Sequence, residues 1–348
     1  MALRFGVIGC GAISRMHLEA ISAIPDASLV AVACPEADRV MHIAQEFRCE
    51  MFKDPYEVIA RGDIDAVSII TPSGARRDLA VAAALSGKHV LMEKPMEITV
   101  ERVDDILRAC EKTGVKCSGI FQFRFKPAWK FVKRLVQEGH LGRMVLGDAY
   151  NKWFRSQDYY DGSPWRGTWQ LDGGGALMNQ GIHAVDLLQW IMGDVSEVTA
   201  VTGTLAHDRI EVEDTAVAVL KFSSGAMGVI EGTTSVYPGY PMKLEIHGTK
   251  GSVIVVGDYI SDFQLKDAPA ALAEEALKYY APVVSQSTAS DPKQTDSTWH
   301  RLQIEDFVKS ILSGKEPSVS GREGRKSVEI INAIYISSKT GGPVKLPL

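Results

Sequence analysis

Over the first third of the chain, short β-branched and apolar runs alternate with helically spaced apolar positions. Phe5–Ile8, Leu29–Ala33, Ala66–Ile70, Val90–Met92 and Lys116–Phe121 read as strands. Between them Ile13–Ile24, Val40–Phe47, Leu79–Leu85 and Val103–Cys110 carry the helical spacing. This alternation predicts a parallel sheet with helices on both faces, doubly wound through right-handed crossovers. After Phe125 the pattern changes. Trp129–Glu138 is helical and stops at Gly139. Val145–Tyr150, Glu197–Thr204, Asp214–Phe222, Ala226–Thr234 and Lys243–His247 then alternate with period two, as antiparallel strands do. Ser223-Ser224-Gly225 is the expected hairpin turn. Gly173–Met192 holds one long helix, 267–298 reads as an irregular loop, and Ile304–Leu312 and Gly324–Ser338 close the chain as helices. The pattern divides the chain into an α/β domain over 1–123 and an α+β domain over 124–348 with an open, mainly antiparallel sheet. The last helix is free to pack back on the first domain.

The chain has 348 residues, 45% hydrophobic and 23% charged, with a net charge of −5. That balance offers no electrostatic footprint for nucleic acid. No apolar run reaches the ~18 residues that a bilayer span needs. The first residues enter a strand with no secretory pattern. The five cysteines form no C-x-x-C pair, so a zinc or redox motif is unsupported and no metal is expected. A cytoplasmic protein is the resulting expectation.

The candidate chemistry begins at Gly9-Cys10-Gly11-Ala12-Ile13-Ser14, between the first strand and the first helix. In that context two glycines and a small third residue let a pyrophosphate approach backbone N–H groups at a helix start. The second strand ends Cys34-Pro35-Glu36, where an acid would grip the ribose of NAD. Arg39 follows, within reach of a 2′-phosphate or simply solvated, so NAD and NADP both stay open. Lys94 leaves the strand Val90–Met92 between Glu93 and Pro95. Carboxyl ends of parallel strands are where open α/β sheets bind ligands. A partly desolvated lysine there suits acid–base work, and a surface lysine fits the spacing equally well. Arg76 and Arg77, at a helix start that disfavours cations, point to a nearby anion or face water.

Thr71-Pro72-Ser73, GKHVLMEKP (87–95), RFKP (124–127), GHLG (139–142), GGGALMNQGIHAVDLL (173–188) and EIHGTKGS (245–252) follow the glycine loop in that order. Together they resemble the glucose–fructose oxidoreductase/inositol dehydrogenase (Gfo/Idh/MocA) family over essentially the whole chain. The resemblance implies an N-terminal Rossmann domain and a C-terminal open sheet that assembles dimers or tetramers. It also implies hydride transfer between a nicotinamide and a sugar or cyclitol carbon, often C3 of a pyranose that is glycosidic or nucleotide-linked; the arginines of the chain add an acidic sugar to that range. It gives Lys94 the acid/base role and His183 the substrate-side histidine. It places Gly9, Gly11, Ala12, Ile13, Cys34, Arg39, Thr71, Pro72, Glu93 and Lys94 at the cofactor. Asn179, four residues before His183, stands where the family carries an aspartate; an amide still orients a hydroxyl.

The aromatic, arginine-rich stretch 150–175 leads into that helix and reads as the substrate wall. Trp153 and Trp165 suit the C–H face of a sugar, and Arg124, Lys152, Arg155 and Arg166 would make the pocket cationic. An inositol dehydrogenase is the alternative enzyme. A regulator that binds nucleotide without catalysis is the alternative from another class, disfavoured by the intact Glu93-Lys94-Pro95 and His183.

Overall fold

The computed structural model describes residues 2–280 and 297–348, with the side chains of 37–40 left out. In chain order the elements are β1 (Leu3–Ile8), α1 (Ser14–Ser22), β2 (Ala27–Ala33), α2 (Ala37–Phe47), β3 (Glu50–Phe52), α3 (Pro55–Ala60), β4 (Ala66–Ile69), α4 (Arg77–Leu85), β5 (His89–Met92), α5 (Val100–Thr113) and β6 (Cys117–Gly119). There follow α6 (Pro127–Gln137), β7 (Met144–Lys152), α7 (Gln157–Asp161), a π-helical turn (Ala176–Gly181), α8 (Ile182–Met192), β8 (Val195–Gly203), β9 (Thr215–Phe222), β10 (Met227–Thr233), β11 (Lys243–Gly248), β12 (Gly251–Val256) and β13 (Tyr259–Leu265). The chain closes with α9 (Ala270–Leu277), α10 (Thr298–Ser313), α11 (Gly321–Thr340) and β14 (Val344–Lys345). Two compact units result: residues 1–122 with 296–328, and 123–295 with 329–348.

The first unit is a parallel six-stranded sheet ordered β3-β2-β1-β4-β5-β6. β1 pairs with both β2 and β4, so the strand order reverses beside β1, where doubly wound sheets open their ligand crevice. Phe5, Val7, Leu18, Ile21, Val32 and Leu91 share one core with Ile304, Phe307 and Val308 of α10, a helix nearly two hundred residues later in the chain. Gln303 of that helix donates to the carbonyl of Gly119 and accepts the N–H of Phe121, so it caps the free edge of β6.

The second unit holds an eight-stranded sheet ordered β13-β12-β11-β7-β10-β9-β8-β14, antiparallel except for the parallel pair β7–β10. Ala216, Ala218, Leu220 and Ile230 are buried on one face, while Val217, Val219 and Met227 are exposed on the other. The expected hairpin forms at Gly225, whose φ of 86° suits only glycine without strain. Three expectations change. The long helix of 173–192 begins as a π-helical turn and becomes α-helical only at Ile182. The expected loop 267–298 contains α9, and its stretch 281–296 lies outside the described residues. The sheet also gains the hairpin β12–β13, which the alternation did not disclose. No helix among the described residues is long and apolar enough to cross a membrane.

Candidate active site

The expected residues fall into two groups, one in each unit. In the first unit, Gly9 has φ 114°, and a Cβ there would meet the backbone of Ile70 and Thr71 at 2.9–3.0 Å, so glycine is required. Gly11 by contrast faces open space. Ala12 and Ile13 form the turn into α1, whose N-terminus has no side-chain cap. Across the crevice Thr71 Oγ1 is buried without a hydrogen-bond partner among the described residues. Pro72 caps the short 3-10 turn that follows. Room above Gly11, uncapped helix N–H groups and an orphan hydroxyl fit a bound dinucleotide. Cys34 is buried at the end of β2, Glu36 is exposed, and the side chain of Arg39 lies outside the described ones.

Lys94 is half-buried at the end of β5, before a cis bond to Pro95. Glu93 does more than hold the lysine as its neighbour. Its Oε2 accepts the Lys94 backbone N–H at 2.9 Å, and its Oε1 lies 3.1 Å from His17 Nε2 and 3.5 Å from His300 Nε2. Burial pushes the Glu93 pKa up, but the bonds from His17 and His300 outweigh it and hold the carboxyl well below its ordinary value. Burial lowers the His17 pKa more than Glu93 raises it, so this imidazole is neutral. Glu93 is thus engaged inside the unit rather than offered to a cofactor.

Neither Arg76 nor Arg77 is the expected anion receptor. The Arg76 guanidinium is buried and donates to the carbonyls of Thr71, Glu93 and Pro95, so it staples two strand ends together. Arg77 pairs with Asp78 and Asp105. His17, Ser68 and His300 were missed in the sequence. The available signal was His17, a polar residue within the buried stripe of α1 beside Leu18 and Ile21.

In the second unit His183 is buried near the start of α8 and stacks on Phe123 at 4.5 Å between centroids. Asn179 is half-buried on the π-helical turn, and its Nδ2 donates to Asp172 Oδ1 at 2.8 Å. A carboxylate therefore stands one hydrogen bond from position 179, on a loop seven residues upstream. Asp172 Oδ2 also accepts the N–H of Gly167. The turn itself is anchored by Glu213, which accepts the N–H groups of Gly175 and Leu177 and the Tyr335 hydroxyl. Burial pushes the Glu213 pKa up to about 7 against these donors. π-helical turns of this kind recur at functional sites.

The aromatic wall is a ladder. The Arg155 guanidinium lies 5.1 Å from the Trp153 ring and 5.6 Å from Tyr159; Arg166 lies 4.2 Å from Tyr159 and 5.7 Å from Trp165. Gln180 donates to the Tyr159 hydroxyl at 2.9 Å and so joins the ladder to the turn before His183. Two cations of the expected pocket are engaged elsewhere. Arg124 makes a buried two-pronged ion pair with Asp186 at 2.7 and 2.8 Å, and Lys152 pairs with Glu231. A buried guanidinium needs such a partner, which the sequence spacing did not reveal.

Residues 3–121 match the oxidoreductase family with the NAD-binding Rossmann fold, and 129–254 match the GFO/IDH/MocA C-terminal domain. The chain is 34% identical to the WlbA dehydrogenase of Bordetella pertussis, solved with NADH and UDP-GlcNAcA, over 100% of this chain and 98% of that one, with a TM-score of 0.91. It is 25% identical to a levoglucosan dehydrogenase solved with NADH and L-sorbose, over 100% of both chains, with a TM-score of 0.84. Myo-inositol 2-dehydrogenase of Thermotoga maritima is 29% identical over 99% of this chain and 98% of its own.

Proposed function

The chain belongs to the Gfo/Idh/MocA oxidoreductases, sugar and cyclitol dehydrogenases with an NAD-binding Rossmann domain, and from that premise we propose that it oxidises a nucleotide-linked uronic acid at a ring carbon, C3 of the pyranose. The observation that carries this reading is the Trp153–Arg155–Tyr159–Arg166–Trp165 ladder, tied through Gln180 to the turn that precedes His183. Its aromatic faces suit a sugar ring, and its guanidinium groups suit a carboxylate or diphosphate. The likeness to WlbA, solved with an acidic UDP-sugar, supports the same substrate class.

In this reading the secondary alcohol becomes a ketone. NAD, when bound, accepts the hydride. Lys94 or His183 takes the hydroxyl proton, and Asn179, backed by Asp172, orients the hydroxyl. Arg155 and Arg166 hold the anionic end. The inositol dehydrogenase reading is favoured by the 29% identity to such an enzyme, but a neutral cyclitol makes no use of guanidinium charge.

The test is a panel of UDP-uronates, UDP-hexoses, free uronates, glycosides and inositols, each with NAD and NADP, followed by reduced-cofactor formation. We expect the highest kcat/KM on a UDP-uronate with NAD. A higher value on an inositol overturns the proposal. Lys94→Met is expected to keep NADH affinity and lose roughly 10²–10⁴-fold in turnover. The proposal extends to assembly: the exposed face of the eight-stranded sheet, with Val217, Val219 and Met227, joins copies of the chain into a dimer or tetramer. The five free cysteines support a cytoplasmic, reducing location.

A further inference from the structure

Around Lys94 the backbone is held from both sides. Arg76 grips the carbonyls of Glu93 and Pro95, and the Glu93 carboxylate grips the N–H of Lys94. That carboxylate is itself fixed by His17 from α1 and His300 from α10, with His17 Nδ1 at 2.8 Å from Ser68 Oγ on β4. Glu93, His17, His300, Ser68 and Arg76 are all buried, so these bonds face little competition from water.

We infer that Glu93 is a positioning residue, clamped by His17 and His300, that fixes the backbone and the charge environment of Lys94 for proton transfer. The inference rests on the acid/base role of Lys94 in the proposed function.

The three side chains have the composition of a metal site, and their ligand atoms lie within 4.8 Å of one another. The surroundings argue for hydrogen bonds instead. A metal-bound imidazole almost always donates its second N–H to a partner, whereas His300 Nδ1 is buried with none among the described residues. With His17 neutral, a proton on Nε2 donates to Glu93 and leaves Nδ1 to accept from Ser68. Every polar atom between Ser68 and the Lys94 N–H is then matched.

The chemical consequence is a buried carboxylate bonded to the backbone N–H of the lysine itself. A nearby anion favours the ammonium form, while burial disfavours it. Among the described residues the carboxylate meets the His17 and His300 imidazoles and the Lys94 backbone N–H, with Arg76 on the adjoining carbonyls. Neutralising Glu93 therefore lowers the proton affinity of Lys94. In the oxidation direction Lys94 must be neutral to take a proton, so the acid limb of the pH–rate profile moves to lower pH.

Two variants separate charge from geometry. Glu93→Gln removes the charge and keeps the length. We expect its acid limb to move to lower pH and its kcat to fall about ten- to hundredfold, with sugar KM and NADH affinity within about threefold of wild type. Glu93→Asp keeps the charge and withdraws the carboxylate by one methylene. We expect its kcat to fall about tenfold or more with the acid limb in place.

A merely structural Glu93 would lower the melting temperature and leave the limb where it is in both variants, which overturns the inference. If Glu93→Gln fails to fold, Glu93→Asp decides alone: wild-type kcat overturns the inference, and a slower enzyme with intact cofactor binding supports it. One equivalent of zinc in the purified protein would replace the clamp by a metal site. Wild-type protein that oxidises no sugar of the panel defeats the proposed function itself, a result separable from active wild type with unchanged variants.

Discussion

At Asn179 one atom decides the outcome of a substitution. Its amide donates to Asp172, so Asn179→Asp sets two carboxylates at hydrogen-bond distance in a half-buried turn. One must keep a proton or both must separate. We expect the variant to be less stable than wild type, with a gap that widens from pH 5 to pH 8, read by thermal unfolding across that range. The simpler view of an amide orienting a hydroxyl, in which Asp would serve nearly as well, omits Asp172. Adjacent residues on one loop also show that burial does not fix a sign. Glu213 is raised to about 7 chiefly by burial, whereas N–H donors from Leu205, Ala206 and His207, with the His207 imidazole, overcome burial and draw Asp214 down to about 2. Glu213 therefore contributes stability that is full below roughly pH 4 and is lost as pH rises toward 7. Asp214 contributes stability that is present above roughly pH 4 and is lost as pH falls toward 2. Urea midpoints of wild type and Glu213→Gln between pH 4.5 and 8 test the first half. Wild type should lose stability relative to the variant up to about pH 7 and run parallel beyond it. At the cofactor end, Cys34→Asp should shift selectivity toward NAD over NADP, because a carboxylate accepts from the ribose 2′-OH and repels a 2′-phosphate. Titration of both cofactors into both proteins checks it.

The elements most legible in the sequence are those whose own pattern matches what they bury. The strands of the parallel sheet are apolar throughout because both faces are covered. Those of the second sheet alternate because one face is exposed: Thr215–Phe222 reads half-buried, buried, exposed, buried along its length. The α9 helix was illegible because only Ala276 of its eight residues is buried, so it carries no stripe. The π-helical turn was illegible for a different reason. Its geometry is imposed by Glu213, some forty residues away, and by Gly175, where a Cβ would stand 1.9 Å from the Glu213 carbonyl oxygen. The four-residue spacing of Asn179 and His183 was thus readable in the sequence, while the contacts of the turn between them, Asp172 and Glu213, were not. Gly175→Ala should force the turn to move, at about 1–3 kcal/mol or more. We expect it to reduce turnover far more than NADH affinity, since the turn and the glycine loop belong to different units. Equal losses in both measurements would mean that the substitution unfolds the whole chain.

For the whole molecule, the exposed valines of the second sheet make assembly testable. Val219→Asp places a charge in the centre of the exposed face, opposite Val229 in the register. If copies of the chain join there, gel filtration should show smaller particles than wild type at equal concentration; an unchanged elution volume removes that face from the interface. The composition of the first unit has a consequence of another kind. Its sheet is finished early in the chain, but Ile304, Phe307, Val308, Gln303 and His300 all arrive on α10. A ribosome adding ~5–20 residues per second needs roughly ten to forty seconds to cover that distance. Through that interval the nascent sheet has an uncapped edge at β6, an uncovered α1 and a buried-to-be Glu93 with one histidine instead of two. Such an edge is a template for wrong pairing. A chain stopped after Tyr280 should therefore fail to bind NADH and should aggregate, although every glycine of the dinucleotide loop is in place. We expect the nascent cofactor-binding half to need shielding from other chains until nearly the last helix has left the exit tunnel.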